Sequence, residues 1–295
     1  EIVLIWSWGT RMTAIRQYKI AVMQLQTSDH LKNNLEKIEK MIRTAAKEGA
    51  KLIAFPEVMN VIETRVPSYS ELDGGETFRL ISHLAKSLGV YIHGGSWSET
   101  IPDSNKHYNT SYLFNDQGEV VGKYRKIHTF DITDPSGNVY RESDTVASGN
   151  ELVVVDTPLG KLGFAICYDL RFPELHRLLA LKGAEIIFNP SDFNLMTGKD
   201  HWEVLLRARA IENGVYMVAA DQQGQNAKML AYGNSLVVNP WGTVVARAAD
   251  GEQILYAEID LDSLDEIRGR MQTLENRQIA AYDLSENADK KDKSC

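Results

Sequence analysis

Cysteine is scarce in this chain: Cys167 and Cys295 are the two among 295 residues. They give no disulfide framework and point to a reducing compartment, by default the cytoplasm. An excess of basic charge is also missing. The formal net charge of -8 argues against a nucleic-acid backbone or an anionic membrane as main partner, because both reward a basic face. It leaves room for a small anionic substrate held by one or two local cations. The apolar stretch Glu1–Trp8 is far shorter than a membrane span and has no basic residue ahead of it, so neither a span nor a signal peptide is expected there. The seven histidines are scattered, without a His-Glu-x-x-His pair or a Cys/His cluster at ligand spacing, which speaks against a metal hydrolase. Gly94-Gly95 lacks the further glycines of a dinucleotide loop, and no Gly-Lys-Ser/Thr motif marks a nucleotide hydrolase. No cofactor is expected.

What is present is an ordinary soluble composition, 43% hydrophobic and 24% charged, sufficient for one large core or two domains. The regular pattern begins at Tyr18, with Met12 a natural start, and residues 1–17 are expected to form an N-terminal extension. Residues 285–295, polar and lysine-rich, are expected to form a mobile tail, which makes Cys295 a poor candidate for chemistry. Between them lies one domain over 18–284.

Along that domain strands and helices alternate. The pattern predicts a strand over Tyr18–Leu25, then a helix with Leu31, Leu35, Ile38, Ile42 and Ala46 on one face, and a strand over Lys51–Phe55. A helix over Phe78–Leu88 and a strand over Val90–Gly94 follow, then a hairpin that joins Ser111–Phe114 to Val120–Tyr124. The second half repeats the order. It has strands at Lys161–Ile166, Ala184–Phe188 and Val215–Ala220, helices at Pro173–Leu181 and Asp200–Glu212, and a hairpin through Asn239-Pro-Trp-Gly242. Lys51-Leu-Ile-Ala-Phe-Pro56 echoes Ala184-Glu-Ile-Ile-Phe-Asn-Pro190, and Leu88-Gly-Val-Tyr-Ile92 echoes Asn213-Gly-Val-Tyr-Met217. These in-register matches predict two pseudo-repeated α/β halves. Two such sheets packed face to face give a four-layer αββα sandwich, with the first strand-to-helix turns of both halves meeting at one rim.

Cys167 sits where the apolar strand Leu162–Ile166 breaks into a polar turn ahead of Pro173. That is the place of a nucleophile on a strand-to-helix turn, and equally of a packed core cysteine. Glu57, in Phe55-Pro56-Glu57, reads as a strand-end carboxylate, either reactive or merely solvated. Lys126 lies in the cationic run Lys123-Tyr-Arg-Lys126-Ile-His128, which could be a solvated face. His128 adjoins that run as a candidate for the site wall, and His176, on a helix, reads as structural. Glu142 falls in a long irregular stretch, His128–Gly149, of the kind that serves as a lid or site wall.

Together, the blocks Phe55-Pro-Glu57, Lys123-Tyr-Arg-Lys-Ile-His128 and Cys167-Tyr-Asp-Leu-Arg-Phe-Pro-Glu174 resemble the three catalytic signatures of the nitrilase superfamily of carbon–nitrogen hydrolases, over about Tyr18 to Asp283. The resemblance implies an αββα sandwich, with Glu57 as general base, Lys126 as the cation at the oxyanion, Cys167 as nucleophile and Glu142 as second glutamate, and no metal. It also implies a homodimer or larger assembly built through the outer helices. Cys167-Tyr-Asp-Leu-Arg171 looks like the amidase branches rather than the nitrilases proper. Asp192-Phe-Asn-Leu-Met-Thr-Gly198, followed by His201-Trp-Glu203, resembles ω-amidases and deaminated-glutathione amidases. Such substrates carry a carboxylate, for which Arg171 is the candidate cation, its alternative being an ion pair with Asp169 or Glu174. Tyr168, through its backbone N–H, and Phe193 and Thr197, as pocket lining, complete the expected binding set. The segments Asp131–Tyr140 and Asp221–Ala231 match neither amidase type closely. The competing classes are a nitrile hydrolase, a cysteine protease, which would need a histidine partner, and a non-catalytic scaffold.

Overall fold

The computed structural model describes residues 15–63, 69–134, 137 and 139–281. Most of the expected N-terminal extension (residues 1–14), and the expected tail with Cys295, lie outside the described residues.

The first half runs β1 (Gln17–Gln24), α1 (Leu31–Lys47), β2 (Leu52–Ala54), α2 (Glu76–Leu88), β3 (Tyr91–His93), β4 (Trp97–Thr100), β5 (His107–Phe114) and β6 (Val120–Arg125). The stretch expected to be irregular, His128–Gly149, instead contains a hairpin, β7 (Asp131–Thr133) and β8 (Val139–Arg141), a 3-10 turn (Glu142–Asp144) and a strand β9 (Val146–Ala147) against β5. These strands are two or three residues long and mostly exposed, too short to carry a readable hydrophobic period.

The second half runs β10 (Val154–Thr157), β11 (Gly160–Phe164), a 3-10 turn (Cys167–Arg171), α3 (Pro173–Leu181) and β12 (Ile186–Phe188). The helical turn α4 (Leu195–Thr197) and a π-helical turn (Gly198–Trp202) lead into α5 (Glu203–Asn213). Then come β13 (Tyr216–Ala219), the hairpin β14 (Gln223–Gln225) and β15 (Leu230–Tyr232), β16 (Leu236–Val238) and β17 (Val244–Arg247). The chain closes with β18 (Gln253–Asp260) and α6 (Leu261–Arg270).

The two halves share one pairing pattern. In the first sheet β18-β1-β2-β3-β5-β6 pair in the order antiparallel, parallel, parallel, antiparallel, antiparallel. In the second, β10-β11-β12-β13-β16-β17 pair in the same order. Successive residues of a strand face opposite sides of its sheet, so each strand feeds two cores. Ile20, Val22, Leu52 and Ala54 point between the sheets and join a cluster with Leu162, Phe164, Ile186 and Phe188. Ala21, Met23 and Ile53 point the other way, against Leu35, Ile38, Ile42, Ile81 and Leu84 of α1 and α2. Leu175, Leu179, Leu206 and Ala210 bring α3 and α5 onto the outer face of the second sheet. The result is the αββα sandwich. No helix among the described residues is long and apolar enough to cross a membrane.

Candidate active site

The strand ends of both sheets open onto one rim, where the chain is strained in two places. Val58, just after Glu57, has φ +50°, and Cys167 has φ +46°. Non-glycine residues, β-branched ones above all, resist that region and hold it only when their surroundings impose it. At Val58 the restraint is Ser96, whose Oγ accepts the Val58 N–H at 3.0 Å and whose carbonyl accepts the Met59 N–H at 3.0 Å. Gly95, at φ +58°, passes so close that a Cβ there would collide with the Pro56 carbonyl oxygen. Gln222 completes the support, its Nε2 donating to the Glu57 carbonyl at 2.9 Å and to Thr27 Oγ1 at 2.8 Å. Glu57 comes from the end of β2, and the turn after β1 only buttresses it through Thr27.

The Glu57 side chain is buried and fully engaged. Its Oε1 accepts from Lys126 Nζ at 2.9 Å and Asn109 Nδ2 at 2.8 Å, and its Oε2 from the Asp192 N–H at 2.9 Å. Lys126 Nζ also donates to both oxygens of Glu142, at 2.9 and 3.1 Å. Burial pushes the Glu57 carboxyl up, but the Lys126 charge and hydrogen bonds from Lys126, the Cys167 thiol and the Asp192 amide outweigh it. Glu57 is therefore held below the usual carboxylate range. Burial would strip the Lys126 proton, yet Glu142 and Glu57 together raise its pKa well above that of an ordinary lysine. The Cys167 thiol is pushed well up, by burial first and by the Glu57 charge second. At rest the site is a neutral thiol facing a carboxylate that is itself paired with a protonated ammonium.

Asp169 binds the nucleophile turn to the lysine strand. Its Oδ2 accepts from the Ile166 N–H at 2.8 Å and Tyr124 OH at 2.6 Å, and its Oδ1 from the His128 N–H at 3.1 Å. His128 Nδ1 lies 2.7 Å from the same Oδ1, and its ring stacks on Phe172 at 3.6 Å. His128 packs on Asp169 and Phe172 behind the nucleophile turn rather than in the cavity wall, and His176 is a buried helix residue against the Phe172 carbonyl.

Glu57, Lys126, Glu142 and Cys167 line one cavity of about 480 Å3 together with Tyr168, Arg171, Phe193 and Thr197. All eight residues expected from the sequence are brought together there. Arg171 makes no ion pair with Asp169 or Glu174 among the described residues. Its guanidinium instead lies 3.1 Å from His201 Nδ1 and over the Phe193 and Tyr168 rings, at 5.3 and 6.0 Å. Phe193 is fixed by Trp202 at 5.0 Å and by its N–H on Asp221. The irregular stretch supplies Phe130 and Tyr140 as wall. Sequence reasoning missed Asn109, Asp192 and the four-donor role of Asp169. Asp169 had one available signal, a short acid two residues after the nucleophile on a buried turn. Asn109 and Asp192 had none, because their partners lie 52 and 135 residues away. Among the described residues no cluster of potential metal ligands occurs.

Comparison with known proteins agrees with this geometry. The carbon-nitrogen hydrolase family matches residues 19–269. Omega-amidase NIT2-A of Xenopus laevis is 41% identical over 273 residues, covering 92% of this chain and 98% of that one. Omega-amidase NIT2 of Homo sapiens is 39% identical over 268 residues, with 90% and 96% covered. Among solved structures, the C. elegans NitFhit protein superimposes with a TM-score of 0.84 at 34% identity, over 92% of this chain and 67% of that one. Saccharomyces cerevisiae Nit3, of the nitrilase superfamily, does so with 0.79 at 34% identity, over 92% and 99%. The chain belongs to the carbon–nitrogen hydrolase family, whose members hydrolyse carbon–nitrogen bonds other than peptide bonds.

Proposed function

We propose that this protein is a thiol amidohydrolase that cleaves the terminal (ω) amide of a small carboxylate-bearing substrate, such as an α-keto dicarboxylic acid monoamide, and releases ammonia. The observation that carries this reading is the buried Cys167 thiol sharing one cavity with the Glu57 carboxylate and the Lys126 ammonium paired to it, together with Arg171, which among the described residues has no carboxylate in an ion pair with it. The relatives named as omega-amidases support the same reading.

A thiol is a weak nucleophile until its proton is removed. Glu57 takes that proton as sulfur attacks the amide carbon. Lys126 and the Tyr168 backbone N–H stabilise the negative charge on the former carbonyl oxygen, a contribution worth ~10² to 10³ in turnover per donor. As the intermediate collapses the C–N bond breaks, Glu57 hands its proton to the departing nitrogen, and a thioester remains on Cys167. Water, deprotonated by the same carboxylate, attacks the thioester, and the thiol recovers its proton from Glu57. Glu142 keeps Lys126 protonated and aimed. Arg171 binds the substrate carboxylate through its planar fork, with Phe193 and Thr197 as wall.

The protein works in the cytoplasm, where the thiol stays reduced. It assembles as a homodimer through its outer helices, where Leu178 and Leu181 of α3, Val204 and Ile211 of α5, and Trp241 beside them, are exposed. Sizing by light scattering tests the assembly. The function is tested by ammonia release from α-ketoglutaramate, glutaramate and deaminated glutathione, scored by kcat/KM. Turnover of none of them, with Cys167 inert to mild alkylation, would leave the scaffold reading.

A further inference from the structure

The chemistry above uses only the main chain of Asp192, yet the Asp192 carboxyl group lines the same cavity. Asn226 holds it, with Nδ2 at 2.9 and 3.1 Å from the two carboxyl oxygens. Asn226 is itself buried and locked on the β14–β15 hairpin, where its Oδ1 accepts the N–H groups of Lys228 and Met229 and its own N–H bonds the Met229 carbonyl. So the carboxyl group is aimed, not free to turn away. Among the described residues no cation is paired with it. Lys126 is taken by Glu57 and Glu142, and Lys228, exposed on the hairpin, acts on Asp192 only through space. Burial first, and the Glu57 charge second, push Asp192 up to about 7.

A desolvated carboxyl group of this kind lacks a positive partner. Arg171, which lines the same cavity, shows the complementary lack, since among the described residues it has no carboxylate in an ion pair with it. Together they suit a ligand that carries both an ammonium and a carboxylate. A cavity of about 480 Å3 falls within the range of sites that enclose whole small molecules, so both contacts fit beside the reacting amide.

We propose that Asp192, oriented by Asn226, binds a protonated amine on the substrate, so that with Arg171 on the carboxylate the site takes zwitterionic amides, the ω-amides of α-amino acids, alongside their deaminated counterparts. The inference rests on the ω-amidase reading and extends its substrate class. Arrival of an ammonium ionises Asp192 and leaves the Glu57–Lys126 pair intact.

The test compares L-glutamine and L-asparagine with their 2-oxo twins, measured as the ratio of kcat/KM within each pair. The native protein should hydrolyse at least one amino-acid amide with a ratio near or above one. Asp192→Asn, which keeps the shape and removes the charge, should lower that ratio about tenfold or more, as expected for losing a hydrogen bond to a charged group. Asn226→Ala should lower it in the same direction. Should Asp192→Asn fail to fold, competition on the native protein decides: glutamate or aspartate must inhibit at least as strongly as the matching 2-oxo acid. Native turnover confined to the 2-oxo amides, a ratio unchanged in the variants, or inhibition by the 2-oxo acids alone overturns the Asp192 assignment and leaves the ω-amidase reading standing. Failure to hydrolyse any ω-amide overturns both.

Discussion

A thiol held well above its ordinary range cannot attack at neutral pH until another group takes its proton, so the chemistry at Cys167 turns on Glu57. Glu57→Gln keeps the size and most hydrogen bonds but removes the base, and kcat should fall by ~10² to 10⁴. Each single His→Ala substitution should leave most of the activity. A histidine variant as inactive as Cys167→Ala would instead favour the cysteine-protease arrangement. Arg171→Lys tests substrate recognition, because a point charge replaces a planar fork. KM should rise for carboxylate-bearing amides and stay constant for neutral ones, and an equal rise for both would make Arg171 a packing residue. The reactive residues were legible because each lies inside a short local block, Phe55-Pro-Glu57, Lys123–His128 or Cys167–Glu174. Asn109 and Asp192 were not, since hydrogen bonds to Glu57 from 52 and 135 residues away leave no local trace.

At the scale of elements, the site is as exact as the turns that carry it. Gly95 stands where a Cβ would meet the Pro56 carbonyl, and its positive φ is costly for any other residue. Gly95→Ala should therefore displace Glu57, lowering both kcat and the melting temperature. Normal kinetics would show that the Phe55–Glu57 turn tolerates movement. Asp169→Asn turns one of the two acceptor oxygens into an NH2 group, so either Ile166 and Tyr124 or His128 lose their acceptor and a buried donor is left unpaired, at about 1–3 kcal/mol each. It should unfold at lower temperature and lose kcat with little change in KM. Elements with a long period, such as α1 with Leu35, Ile38 and Ile42, were readable. The hairpin β7–β8 was not, and β18 was missed because its register is set by pairing with β1 from the far end of the chain.

Outside the site, two buried histidines give the whole molecule a source of pH sensitivity. His93 is buried against Phe188 and Phe164, and burial lowers it from 6.5 to about 3. His176, buried under α3, is lowered to about 4. The unfolded chain binds these protons near 6.5 and the folded chain does not, so stability is full above that pH and falls as pH drops toward 4 and 3. Glu99, partnered by Arg125, Lys123 and Thr110, is lowered from 4.5 to about 2 and adds a further loss below 4.5. Asp192, raised to about 7, acts in the opposite sense, so the histidine contribution is read as a difference: between pH 7 and pH 5 the urea midpoint of His93→Phe, which keeps the aromatic stack, should fall less than that of the native protein. The halves themselves were legible as a repeated strand order, since their matching segments occupy matching strands. The measurement that bears most directly on the whole account is ammonia release from α-ketoglutaramate by the native protein and by Cys167→Ala at neutral pH. The account requires steady release by the native protein and none above background by the folded variant. Release by the variant, or none by the native protein across the ω-amide panel, would contradict it.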